Sequence, residues 1–199
     1  DTKKEQERAE LHRVIWNIAN DLRGSVDGWD FKQYVLGMLF YRYISENLAG
    51  YIERNEHAAG NHDFAYARLS DVDAEEARAG LVEEKGFFIL PSQLFGNVLR
   101  DAPQDENLNE TLETVFRRIE TSAQGTASED SFKGLFDDID VNSNKLGATT
   151  PKRNERLVKL MNGIADMRLS YQDNTIDAFG DAYEYLMAMY ASNAGKSGG

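Results

Sequence analysis

Cysteine is absent from the 199 residues, which excludes disulfide frameworks, thiolate metal sites and cysteine nucleophiles, and fits a reducing cytosol. Proline is scarce: Pro91, Pro103 and Pro151 all lie near loop or helix-start signals, so nothing breaks the longer periodic segments. Positive charge is also in short supply, with 22 basic residues against 34 acidic ones and a net charge of −12. A chain with that excess does not adhere to nucleic acid through bulk charge, so any such contact must be local. Long apolar runs are missing too. The stretch Tyr34 to Ile44 is interrupted by Arg42 and is far shorter than the ~20 residues a membrane span needs. No basic, apolar, small-residue leader opens the sequence. The expectation is a soluble, cytoplasmic chain with no membrane role, long enough to bury one core or two small ones.

What is present is mostly helical periodicity. Leu11, Val14, Ile15, Ile18 and Leu22 recur at helical spacing across residues 5–23, which stop at Gly24. Asp27 to Asp30 supply turn and cap residues for a long helix over 31–54, with Asp30 as the cap. Between Tyr34 and Ile44 that helix is apolar on nearly every side, so it reads as central, and Arg42 inside it must snorkel or pair with a carboxylate. Residues 53–73 read as a polar connection with one short element, followed by a helix over 74–84. The run Phe87-Phe-Ile-Leu90 is either a short strand or a buried extended segment. Helices are expected over 92–99, 107–121, 131–137, 152–167 and 176–190, the last with Phe179, Tyr183, Leu186 and Tyr190 in one stripe. Residues 137–151 form a long loop, of a length usually functional or mobile. The fold class expected is all-α, with at most one very short strand pair: a multi-helix domain over 1–191, then a flexible connector over 192–199.

Most chemical motifs fail on inspection. Asp138, Asp140, Asn142 and Asn144 have the alternate spacing of a calcium loop, but Ser143 stands where the turn glycine should be and Thr149 where the bidentate glutamate should be. Hydrogen bonding within the loop, as Asx turns, is the better reading. Gly195-Lys196-Ser197 resembles the end of a phosphate loop, yet Tyr190 occupies the place of its first glycine. His12, His57 and His62 show no ligand spacing and read as scattered surface residues, so no metal site is expected. Neither a nucleophile elbow nor a dinucleotide glycine motif is present, and no catalytic or cofactor-binding residue is assigned in this chain. Trp16, Trp29, Tyr41 and Tyr43 sit at helical positions suited to core packing, with interface anchoring as the alternative. One basic patch stands out in the acidic background: Lys145, Lys152, Arg153, Arg156 and Lys159. It is either a phosphate-contact strip on a loop and helix start, or a solvated face balancing nearby acids.

Four long blocks resemble the amino-terminal region of the modification (M) subunit of type I restriction-modification enzymes, an adenine-N6 DNA methyltransferase. They are IWNIANDLRGSVDGWDFKQYVLGMLFYRYISENL (15–48), GFFILPSQLF (86–95), FKGLFDDIDVNSNKLG (132–147) and DAFGDAYEYLMAMYASNAGKSGG (177–199). The resemblance implies a helical domain preceding a Rossmann-like domain that binds S-adenosylmethionine. It also implies partners: the specificity (S) subunit, a second M subunit and the restriction (R) subunit, with double-stranded DNA held by the assembled enzyme.

The family's Asn-Pro-Pro-aromatic motif, which holds the flipped target base, has no counterpart here, since no proline follows an asparagine. The expectation is therefore a supporting domain that is catalytically silent alone and helps assembly and DNA engagement by a subunit that methylates adenine. A free-standing acidic helical adaptor with no DNA role is the alternative. A small enzyme built on the carboxylates of 137–144 would lack a base and a nucleophile.

Overall fold

Helical spacing in the sequence becomes eight α-helices in the computed structural model, which describes residues 2–21, 28–137 and 139–166, together with Tyr185 and Ala188. They are α1 (Thr2–Asp21), α2 (Gly28–Ala58), α3 (Asp71–Glu75), α4 (Arg78–Lys85), α5 (Phe95–Asp101), α6 (Leu108–Ser122), α7 (Glu129–Phe136) and α8 (Thr150–Ala165). Short 3-10 turns lie at Tyr66–Arg68, Pro91–Gln93 and Ala102–Gln104. No strand occurs among the described residues, so the fold is all-α there and no short strand pair forms. Tyr185 and Ala188 are helical; the rest of the helix expected over 176–190, the connector 192–199, the stop at Gly24, the side chains of Trp29 and Asp30, and Asp138 lie outside the described residues.

The chain divides into two units, with boundaries after Phe40 and after Asp137. The first comprises residues up to Phe40 and those after Asp137. In it α1 packs on α8, and both bury one face: Leu11, Val14 and Ile15 from α1, and Leu157, Leu160, Met161 and Ile164 from α8. Residues 34–40 of α2 are buried without exception, as an all-round apolar helix requires. The loop of this unit is not loose. Ile139, Val141 and Leu146 are buried, and the Tyr34 hydroxyl donates to the Asp140 carbonyl.

The second unit runs from Tyr41 to Asp137. Its most regular element, α6, buries Leu108, Leu112, Val115, Phe116 and Ile119 on one face. Those five side chains contribute on the order of 10 kcal/mol before chain entropy is counted against them. Tyr41 is fully buried, edge-on to Phe95 at 5.5 Å and to Phe116 at 5.4 Å, and Phe116 stacks on Phe136 at 4.6 Å. Burial pushes the Tyr41 hydroxyl's pKa well up, and that hydroxyl donates to the Gln93 carbonyl. Arg42 is paired rather than snorkelling: its Nε donates to Glu46 at 2.8 Å, one turn along α2.

Several element boundaries differ from the sequence reading: α2 already begins at Gly28, which places Asp30 inside the helix rather than at its cap. Helix α2 continues to Ala58, so the polar connection begins later than residue 53. The helix expected over 74–84 is two helices, because Ser70 caps an earlier start by accepting from the Asp73 amide at 3.1 Å. The Phe87-Phe-Ile-Leu90 run is the buried extended alternative, and it needs no neighbouring strand because side chains satisfy its backbone. Ser122 Oγ accepts from the Phe88 amide at 2.9 Å, Thr126 Oγ1 donates to the Gly86 carbonyl at 2.9 Å, and Tyr66 Oη donates to the Ile89 carbonyl at 2.7 Å. Further along, Asn97 Nδ2 donates to the Pro91 carbonyl at 2.7 Å and the Ser92 amide donates to Asp71 Oδ1 at 3.0 Å. Gly86 starts the segment at φ 87°, ending α4 with its amide bonded to the Val82 carbonyl. Above Phe88, the Arg78 guanidinium lies 4.4 Å from the ring centroid and forks onto Glu75, whose pKa that bond lowers.

Candidate nucleic-acid interface

The five residues of the basic patch fall on α8 and the loop before it. Thr149 starts the helix, its hydroxyl accepting from the Lys152 amide, and Pro151 occupies the first turn, where a missing N–H costs nothing. Lys152, Arg156 and Lys159 then follow at positions i, i+4 and i+7, one stripe beside the buried face of Leu157, Leu160 and Ile164. Lys145, Lys152 and Lys159 are exposed; Arg153 and Arg156 are half-buried. The stripe carries its own counter-charge, for Glu155 lies 3.5 Å from Lys152 Nζ and 4.0 Å from Lys159 Nζ. These pairs are more than half exposed and weakly held, so a phosphate can displace Glu155 at small cost.

Arg153 has a different job. Its Nε donates to the Gly147 carbonyl at 2.9 Å and its Nη2 donates to Asn144 Oδ1, so the guanidinium ties the loop down onto α8. Gly147 makes that approach feasible: a Cβ there would sit 2.8 Å from Lys152 Cβ and 3.1 Å from the Arg153 amide nitrogen. Sequence reasoning counted Arg153 as one more positive charge and passed over Gly147. The only local signal was a glycine two residues before a threonine cap.

The calcium-loop spacing dissolves in this geometry. Asp140 Oδ1 accepts from the Asn142 amide at 3.0 Å, which is the Asx turn, and Asn144 Oδ1 is taken by a cationic guanidinium. Among the described residues no group of three histidine, cysteine or acidic side chains is placed to hold a metal. Of the three histidines, His62 is exposed as a surface residue, and the other two are half-buried. His57 belongs to the last turn of α2, half-buried, with Nε2 3.0 Å from the Phe64 carbonyl oxygen, and the half-buried His12 stacks on Tyr185 at 4.1 Å between ring centroids. Of the aromatic residues, Tyr41 is core, Tyr43 is half-buried and Trp16 is half exposed.

Comparison with known proteins shows where the chain belongs. Residues 11–164 match the family described as the HsdM N-terminal domain. The chain belongs to that family. In this HsdM-type chain residues 174–199 also match the N-6 DNA Methylase family. The type I restriction enzyme MpnII methylase subunit of Mycoplasma pneumoniae is 48% identical over 207 aligned residues, covering 99% of this chain and 38% of the relative. The type I restriction enzyme MjaIX methylase subunit of Methanocaldococcus jannaschii is 22% identical, covering 96% of this chain and 32% of the relative. The chain thus spans about a third of the length of these curated relatives. A crystal structure of the type I restriction-modification system methyltransferase subunit from Streptococcus thermophilus superposes with a TM-score of 0.71 at 29% identity, over 92% of this chain and 39% of that one. No helix among the described residues of the HsdM domain is long and apolar enough to cross a membrane.

Proposed function

We propose that this chain is the helical amino-terminal part of a cytoplasmic type I DNA methyltransferase subunit, supporting subunit assembly and DNA engagement in S-adenosylmethionine-dependent methylation of adenine N6. The observation that carries the reading is the succession of two family matches along one chain, the HsdM N-terminal domain over 11–164 and N-6 DNA Methylase from 174. A free-standing adaptor gives no account of the second match. In this arrangement residues 1–191 are the helical part and 192–199 the connector to the methylase domain. The partners are the S subunit, a second M subunit, the R subunit and double-stranded DNA.

The described residues do not fit S-adenosylmethionine. Among them no strand runs into a glycine-rich turn, and the free face of Gly86 is filled by Ser128, whose Oγ would lie 2.5 Å from an added Cβ. The cofactor and the target base are assigned to the methylase domain, and residues 1–199 alone are proposed to be catalytically silent.

The nucleic-acid role rests on Lys145, Lys152, Arg153, Arg156 and Lys159. In the reading proposed, the exposed lysines neutralise duplex phosphates, while Arg153 holds the loop that presents Lys145. Each phosphate neutralised releases counterions, so the logarithm of the binding constant falls with the logarithm of salt by about 0.9 per contact. The test replaces Lys145, Lys152 and Lys159 together by alanine in the assembled methylase complex and measures fluorescence anisotropy on a labelled duplex across a salt series. The expected result is a slope shallower by about 2–3, with S-adenosylmethionine binding unchanged. An identical slope would remove the strip from the interface.

A further inference from the structure

Helix α8 carries four cations and a single acid, Glu155. That acid does not stand in the first turn, where a helix N-terminus favours negative charge. It stands between Lys152 and Lys159, about one turn from each. Its two oxygens are divided between them: Oε2 lies 3.5 Å from Lys152 Nζ and Oε1 lies 4.0 Å from Lys159 Nζ. The two arginines of the helix are turned to the loop instead. Arg153 is bonded to Gly147 and Asn144, and Arg156 has Nη1 3.1 Å from the place a Cβ on Gly147 would take.

A backbone phosphate offers what this carboxylate offers: one negative charge spread over two oxygens on a single atom. Two ammonium groups set around one carboxylate, an oxygen to each, are therefore set for one phosphate. All three side chains are more than half exposed, where ion pairs are screened and weakly held, so the exchange is possible. It still has a cost, which a lone anion bears by itself, whereas a duplex that also meets Lys145 offsets it with further counterion release. We propose that Glu155 is a built-in stand-in for a backbone phosphate: it fills the seat between Lys152 and Lys159 in the free protein, and duplex DNA binds there by displacing it. The inference rests on the functional reading above and adds the seat of one phosphate and the residue that sets the threshold for filling it.

The test uses the full-length methylase complex, a labelled duplex and fluorescence anisotropy over a salt series. Four proteins make a cycle: unmodified, Glu155→Gln, Lys152→Ala with Lys159→Ala, and all three substitutions together. Glu155→Gln is expected to tighten binding roughly two- to tenfold, the worth of two exposed ion pairs, and to change it by less than about twofold once both lysines are gone. An equal gain in both backgrounds would mean that the carboxylate merely repels DNA from nearby, and no gain in either would mean that nothing displaces it; each result overturns the proposal. Glu155→Asp keeps the charge but is one methylene shorter and no longer spans both lysines, so it is expected to give part of the gain; binding no tighter than in the unmodified complex would also count against the seat. The lysine pair is scored separately. If Lys152→Ala with Lys159→Ala binds with unmodified affinity and salt slope, the strip is not in the interface and the functional reading fails, whereas a weaker, shallower binding with the wrong response to Glu155→Gln defeats the phosphate seat alone.

Discussion

Gly86→Ala is expected to destabilise the protein through two separable causes. Gly86 has φ 87°, in the left-handed region, where an added Cβ costs about 1–2 kcal/mol. The same Cβ would stand 2.5 Å from Ser128 Oγ, forcing that side chain off its position for about 0.5–1.5 kcal/mol more. The sum is about 2–3 kcal/mol, which lowers Tm by roughly 4–12 °C in a chain of this size. Three companions separate the terms. Gly125 has nearly the same dihedral, φ 81°, with nothing within 4 Å of an added Cβ, so Gly125→Ala bears the dihedral cost alone. Gly80 lies inside α4 with open space around it, so Gly80→Ala is expected to stabilise by about 0.5–1 kcal/mol. Adding Ser128→Ala to Gly86→Ala removes the hydroxyl that clashes and is expected to bring the loss back to the Gly125→Ala value. Urea unfolding followed by circular dichroism reads all four. If Gly86→Ala costs no more than Gly125→Ala, or if Ser128→Ala rescues nothing, the close packing assigned to the start of the extended segment is wrong.

Other expectations follow from the same structure. Ser122→Ala leaves the Phe88 amide without its acceptor and is expected to cost about 1–3 kcal/mol, with faster hydrogen exchange at Phe88; an unchanged exchange rate would refute the clamp. Arg153→Ala removes the bonds to Gly147 and Asn144 and is expected to accelerate exchange across 142–147, whereas Lys152→Ala, on an exposed pair, stays within about 0.5 kcal/mol of wild type. Glu120 is raised above the ordinary carboxylate range by burial and then by the charge of Asp137, so its ionised form disfavours the fold. That penalty is full above the folded value and gone below the unfolded value near ~4.3. Glu120→Gln is thus expected to raise stability at pH 7, with the gain closing toward pH 4; a gain that does not depend on pH would show that the charge is not its source.

Elements whose signal is local were legible in the sequence. Helix α6 was expected over 107–121 and runs Leu108–Ser122, because five apolar residues at helical spacing, amid polar neighbours, leave little alternative. The buried stretch of α2 was equally clear, while its far end was not: residues 53–58 are polar and read as connection, yet they continue a helix already nucleated. The extended segment 87–90 could not be decided because its partners are remote. Ser122 lies 34 residues from Phe88, Asp71 lies 21 from Ser92, and no period in the chain records such pairings. In the basic patch, composition weighed five cations equally. Only the fold sets Arg153 to holding the loop, places Glu155 between Lys152 and Lys159, and leaves Gly147 no room for a side chain.

Transfer of a tritiated methyl group from S-adenosylmethionine to a duplex, followed by nucleoside analysis, tests the central claim most directly when run on the full-length methylase complex and on residues 1–199 side by side. The complex is expected to place label on adenine N6 and the shorter chain to place none. Label incorporated by residues 1–199 alone, or a complex that marks no adenine, would contradict the account.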